Sequence, residues 1–353
     1  MSSDHYGHTA TLLPDGGVLV AAGAPSTFQG KARIYYHPPA NDWDVAANLN
    51  TIRYGHSATL LPDGRVLVTG GINLNLAIAG AEIYDPAQNA WTPVAPLNTA
   101  RFSHTATLLQ DGRVLVTGGY SLNLGIAVVE IYDPAVNRWD SSNDLNSARG
   151  GHTATLLPDG RVLVTGGGSL AHAIPGAEIC DKYYHTWTTV ASLFTARSHH
   201  TATLLPSGRV LVVGGYNDSG SLASTEIFNS GLGYNFLWRP KVTQIPPTLM
   251  LGNALTLNGS GFRGYGFSEG SGGGTNNSAG NYPIIQVFRL DNEQITWLKP
   301  GGAFSPTAFT SQPVNGILPG PALVTVFVNG IPSVSKYILI KFGCHLFLPS
   351  ILN

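Results

Sequence analysis

Hydrophobic and polar positions along the first two-thirds of the chain alternate with a period of two, in short runs broken by glycine and proline. His56-Ser-Ala-Thr-Leu-Leu61 and Arg65-Val-Leu-Val-Thr69 flank Pro62-Asp63-Gly64. Two β-branched or apolar runs around such a tight-turn signal predict a hairpin. Ala81-Glu-Ile-Tyr84 predicts a third short strand, and Trp91-Thr-Pro-Val94 a fourth after the turn cluster Asp85-Pro-Ala-Gln-Asn89. No stretch carries a 3.6-residue apolar period, so helix is not expected. Both faces of the first strand carry apolar residues, the pattern of a sheet packed between neighbouring sheets.

The unit recurs every 48 residues, five times. His8, His56, His104, His152 and His200 keep that step, as do Trp43, Trp91, Trp139 and Trp187. Residues 56–71, 104–119, 152–167 and 200–215 are near-copies of HTATLLPDGRVLVTGG. A four-stranded unit cannot bury both of its faces alone; stacking units radially does so. The Gly-Gly doublet, the tyrosine of E-I-Y-D-P and the tryptophan after it resemble the kelch family. The R-x-x-H-T-A-T-L-L-P-D-G-R-V-L-V variant is most similar to the propellers of galactose oxidase relatives. The resemblance covers residues 1 to about 240 and implies an all-β fold, a kelch-type β-propeller. It implies fold and leaves function open. No spare strand is visible to seal the ring by exchange, so either five blades close directly or the ring is incomplete. The first repeat opens almost at Met1, as in a chain trimmed of upstream sequence.

Repetition stops after Glu226-Ile-Phe228, and Trp238-Arg-Pro240 leads into a linker through Pro246-Pro247. We divide the chain into a propeller (1–240), a second domain (241–341) and a short tail (342–353). Leu255-Thr-Leu-Asn-Gly-Ser-Gly-Phe262 is similar to the second strand of immunoglobulin-like IPT and E-set domains. Further strands are expected at 284–288, 294–297, 322–329 and 337–340, which suits an Ig-like sandwich. Residues 264–281, rich in Gly, Ser and Asn, predict a surface loop.

Composition narrows the partners. The 353 residues include 19 basic and 20 acidic ones. This near-neutral balance offers no footprint for nucleic acid or an anionic membrane. No run of 18 apolar residues predicts a membrane span. Cys180 and Cys344 are the two cysteines; Cys180 takes the tyrosine position of its repeat and reads as a buried thiol rather than half of a disulfide. His345-Leu-Phe-Leu-Pro-Ser-Ile351 resembles the apolar endings of exported proteins in some filamentous bacteria, which implies an extracellular or cell-surface location.

In a four-strand meander the second-to-third loops and the blade-to-blade linkers share one end. That end is where the repeats diverge: Ile72-Asn-Leu-Asn75, Tyr120-Ser-Leu-Asn123, Gly168-Ser-Leu-Ala-His172, Tyr216-Asn-Asp-Ser219. The linkers Arg53-Tyr54, Arg101-Phe102, Arg149-Gly150 and Arg197-Ser198-His199 diverge too. A ligand face would therefore draw on Arg53, Tyr54, Asn73, Asn75, Arg101, Phe102, Tyr120, Asn123, Arg149, His172, Arg197, His199, Tyr216, Asn217 and Asp218. The arginines have a second reading. Glu82, Glu130, Glu178 and Glu226 recur with them, and the first repeat loses both at once, with His5 and Arg33 in their places. Joint loss predicts structural ion pairs. In eukaryotic kelch adaptors similarly placed arginines bind acidic peptides, so that role stays open.

The five histidines could line an axial channel and hold a metal, but each is locked in a repeat phrase, which favours a structural hydrogen bond, and no metal is expected. Galactose oxidase resemblance implies copper, a Tyr-His pair at this position and a Cys-Tyr cross-link. Here Gly7, Gly55, Ser103, Gly151 or His199 precedes the histidine, and neither Cys180 nor Cys344 matches. His345, near the C-terminus, is the one histidine after the propeller. No H-E-x-x-H, G-x-S-x-G or Walker loop is present. The expectation is a non-catalytic, exported recognition module for a carbohydrate or protein partner. A divergent copper oxidase and a purely structural repeat protein are the alternatives.

Overall fold

The computed structural model describes residues 7–13, 17–23, 31–36, 42–122, 124–205, 207–231, 239–262, 269–272, 278–279, 283–298, 301, 305, 307–328 and 331–342, and no helix occurs among them. The repeats become antiparallel meanders. Blade two runs through Ser57–Leu60, Val66–Thr69, Ala81–Asp85 and Ala90–Val94. Blades one, three and four repeat that order from inner strands Thr9–Leu12, Thr105–Leu108 and Thr153–Leu156. Blade five shows three strands, Thr201–Leu204, Val210–Val213 and Thr225–Phe228; Trp238, read as its end, lies outside the described residues. The sequence reading missed a two-residue hairpin at the diverging end: Ile72–Asn73 with Leu76–Ala77, Tyr120–Ser121 with Leu124–Gly125, and Tyr216–Asn217 with Gly220–Ser221.

Period-two patterning puts one half of each apolar set against each neighbour. Leu61, Leu67, Ala81 and Ile83 of blade two share one cluster with Ala106, Leu108, Val114, Val116, Tyr132 and Trp139 of blade three. The tryptophans pin these contacts. The indole N–H of Trp91 donates to the Ala47 carbonyl of the blade before it at 2.8 Å, and Trp139 donates to Ala95 at 2.8 Å. The Gly-Gly doublet has a steric cause. Gly70 sits at φ +61°, and a Cβ there would stand 2.5 Å from the Arg101 carbonyl oxygen and 2.7 Å from His104 Cε1 of the next blade. Only glycine lets that linker lie so close.

Packing does not continue past blade five. Ile179 of blade four is 8% exposed, while its counterpart Ile227 is 51% exposed. Thr153 and Thr155 are buried, but Thr201 and Thr203 are exposed. Direct closure of five blades would cover that face, so among the described residues the arrangement is the open one of the two expected.

Two further sheets share a separate apolar core. Lys241–Gln244, Ala254–Ser260 and Ala308–Pro313 form one; Thr248–Met250, Lys336–Lys341, Gly320–Val328, Ile284–Arg289 and Ile295–Leu298 form the other. Leu255, Leu257 and Phe309 of the first meet Ile285, Val287, Val324 and Ile338 of the second. The segment read as a surface loop is corrected in part. Glu269–Gly272 pairs with Ser278–Ala279, and Ser271 and Gly272 pair with Ala154 and Thr153 on the inner strand of blade four. An inner strand offers an unpaired backbone edge, and a Gly/Ser-rich segment can meet it without any side-chain pattern.

Candidate functional site

Each repeat phrase delivers its histidine to the blade before it. His104 Nε2 lies 2.9 Å from Ser57 Oγ and 3.0 Å from Thr69 Oγ1, and those hydroxyls are 2.7 Å apart. His152 meets Thr105 and Thr117 at 3.0 Å each; His200 meets Thr153 at 2.9 Å and Thr165 at 3.2 Å. His56 has one hydroxyl, Thr9, at 2.9 Å, because Ala21 stands where blades two to four have threonine. His8 opens the series, half-buried. Burial, with Arg53 and His8 adding to it, pushes His56 down to about 3; burial and Arg197 do the same to His200. His104 and His152 are held well below the ordinary imidazole value for the same reason, with Arg101 and Arg149 respectively as the next cause. These are neutral bolts between blades.

The arginines are equally committed. Arg53 donates to Glu82 Oε1 at 2.7 Å and to the carbonyls of Gly70 and Gly80 at 2.8 and 2.6 Å. Glu82 accepts in addition from the backbone N–H of Asn50 at 2.7 Å and of Thr51 at 3.0 Å, so the pair ties the incoming linker to the third strand. Arg101–Glu130 at 2.5 Å, Arg149–Glu178 at 2.7 Å and Arg197–Glu226 at 2.7 Å repeat the arrangement. All four guanidiniums are at most 1% exposed. They are therefore corrected as face residues: no partner reaches them without opening a blade. Tyr120 is corrected likewise. It is buried, its ring lies 5.3 Å from that of Phe102, and burial pushes its phenol up to about 12.

The remaining face candidates divide by exposure. Linker and loop meet at one end, through bridges Tyr54 to Ile72, Phe102 to Tyr120 and Ser198 to Tyr216. His199 stacks on Tyr216 with centroids 5.0 Å apart and 14° between planes. His172 Nδ1 and Asp218 Oδ2, both exposed, are 2.8 Å apart and join the loops of blades four and five. Asn75 is exposed, Tyr54, Asn73, Phe102, His199 and Asn217 are half-buried, and Asn123 lies outside the described residues. Two clefts open at the opposite end, among the uniform turns. One, of about 190 Å³, lies between blades three and four, lined by Leu109, Leu115, Val162, Cys180, Lys182 and His185. Tyr84 and Tyr132 occupy this position elsewhere and donate to Asn89 and Asn137; the smaller Cys180 lines the cleft here, while the second cleft, of about 450 Å³, opens at the equivalent seam between blades two and three. Burial pushes that thiol up to about 12, so it is not a nucleophile at neutral pH.

A kelch motif model matches residues 53–98. The fold is a kelch-type β-propeller. No curated protein sequence matches the chain. Among solved structures, a fungal alcohol oxidase of the AA5 family in complex with copper is similar over 96% of this chain and 86% of the oxidase, with TM-score 0.50 and 15% identity. At that identity the likeness is one of fold. Among the described residues no three His, Cys, Asp or Glu side chains gather, and each Nε2 of His56, His104, His152 and His200 is taken by a hydroxyl. His345 and Cys344 lie outside the described residues. No helix among the described residues is long and apolar enough to cross a membrane.

Proposed function

We propose that this chain is a non-catalytic, exported recognition module that presents the diverging end of its propeller to a carbohydrate or protein partner. In this reading residues 1–240 carry recognition and residues 241–341 serve as an Ig-like spacer. One contrast supports it. The buried Arg–Glu and His–hydroxyl sets repeat almost unchanged from blade to blade, while the loops and linkers around Tyr54, Phe102, His172, His199 and Asp218 differ at each step. A scaffold held constant beneath a varied rim is how rigid folds carry binding sites. The test is retention on a glycan array and in pull-downs, with Tyr54→Ala/Phe102→Ala as the rim variant. Loss of retention with an unchanged melting curve is expected; retention indifferent to every rim substitution refutes the reading.

The copper-oxidase alternative draws on the alcohol oxidase of like fold. The commitment of the propeller histidines to hydroxyls weighs against it, and peroxide release by copper-loaded protein decides it.

A further inference from the structure

Leucine stands at the tips of three consecutive propeller loops. Leu74 is 87% exposed, Leu76 65%, Leu122 84%, Leu124 68% and Leu170 51%. Leu74, Leu122 and Leu170 are 48 residues apart, as are Leu76 and Leu124, so the side chains crown neighbouring blades at one end. Scattered exposed leucines need no explanation, but a row at one repeat position does. Backbone geometry sharpens the point. Leu74 has φ +48° and Leu122 φ +47°, inside small hairpins whose turns favour Gly or Asn. Blade five closes its hairpin at the same place with Asn217-Asp218-Ser219-Gly220, where the positive φ falls on Gly220 at +118° and Asn217 accepts from the Ser219 N–H at 2.9 Å. Blades two and three thus display leucine despite both exposure and backbone strain.

We propose that these leucine tips insert into the surface of an uncharged lipid bilayer, docking the propeller by its diverging end. The setting selects that occupant. From Gly70 to Ala81, from Gly118 to Val129, and in the linkers 49–55, 97–103 and 145–151, the only charged side chains are the buried Arg53, Arg101 and Arg149. Beyond Leu170 the row ends at His172 and Asp218, which pair with each other. Away from the exposed His172–Asp218 pair, these loops carry no exposed charge, so they have no attraction for anionic headgroups and little ionic desolvation on entering a neutral interface. The leucines also stand as prongs on separate hairpins. A protein would need matched slots for each prong, whereas a fluid bilayer takes them at any spacing. This rests on the recognition reading in using the same end of the propeller, but it names a lipid surface as what that end touches.

Flotation of the full chain with vesicles of pure phosphatidylcholine tests it, at low and at high salt. Binding that is insensitive to salt is expected. Leu74→Asn/Leu122→Asn should weaken it by about tenfold or more, since two chains leave the acyl boundary. The same variant should melt no lower than the parent, because asparagine accepts positive φ, so lost binding will not reflect lost folding. No flotation, binding unchanged in the variant, or binding that requires anionic lipid and is abolished by salt overturns the proposal. So does a leucine-dependent dimer in sedimentation without vesicle binding, which assigns the tips to a second copy. Glycan or protein retention by the parent chain, with no flotation of that parent, removes this proposal and leaves the recognition reading standing.

Discussion

Acid should unfold the propeller well above the range where carboxylates titrate, and the histidine bolts are the reason. His56, His104, His152 and His200 are at most 2% exposed and are held neutral by burial. Their folded pKa values lie below the unfolded value of about 6.5. Between the two the unfolded chain binds more protons, so stability is complete above about pH 6.5 and falls as pH drops toward about 3. At about pH 5.5, roughly one unit below the unfolded value, each histidine costs about 1 kcal/mol, and the four together several kcal/mol. Total stabilities are about 5–15 kcal/mol, so that loss is decisive. For a domain of this size it is a fall of about 10–20 °C in melting temperature from about pH 7.5 to 5.5. Calorimetry or circular dichroism across that interval measures it. The carboxylates whose pKa is lowered, Glu226 among them, act only below their own ordinary range near pH 4, so they do not blur the window. His104→Gln keeps a polar group near the Nε2 position without a titrating proton and should remove about a quarter of the slope. A melting temperature flat from about pH 7.5 to 5.5 would refute the claim that these imidazoles are locked neutral between blades.

Arg101→Ala should destabilise by about 3 kcal/mol, leaving Glu130 with its two backbone donors but stripping the Gly118 and Val128 carbonyls; urea titration measures it, and Arg101→Lys should not rescue, lacking the fork that bonds three acceptors. Cys180→Tyr should stabilise by about 1 kcal/mol by filling the cleft beneath blade four; a lower melting temperature would show that Lys182 and His185 already close it. Copper-loaded protein should release no peroxide from galactose, other primary alcohols or aldehydes, and turnover abolished by His200→Ala would overturn the non-catalytic reading.

The blades were legible because their information is local. A period of two, a Pro-Asp-Gly turn and a Gly-Gly stop lie within one 48-residue unit and fix strand order and faces together. The pairing of Arg101 with Glu130 was suggested by His5 and Arg33 replacing both members in the first repeat, a comparison that needs only the repeats themselves. The histidine's partners were not legible. Thr69 meets His104 across 35 residues and between two blades, and neither position marks the other by charge or size. The arginines failed as face residues for a related reason. Position at a loop-bearing end says nothing about depth, and Arg53 turns inward to the Gly70 and Gly80 carbonyls.

The contact of Glu269–Gly272 with the inner strand of blade four shows where such reading stops. Gly, Ser and Asn carry no face preference, so nothing in residues 264–281 distinguishes a solvated loop from a strand. The deciding property belongs to the partner. Ala154 and Thr153 present backbone groups on an edge that its own blade leaves unpaired, and a backbone edge accepts any chain that can lie flat against it. Glycine, which weakens a strand on its own, fits where another backbone must approach closely. The same logic separates the two ends of the repeat array. Where the next blade supplies a histidine, hydroxyl pairs such as Thr153 and Thr165 are kept and buried; at blade five, where Thr201 is exposed, its strand partner is Val213. Each blade's chemistry is thus set by what covers it, which no reading of a blade in isolation can supply.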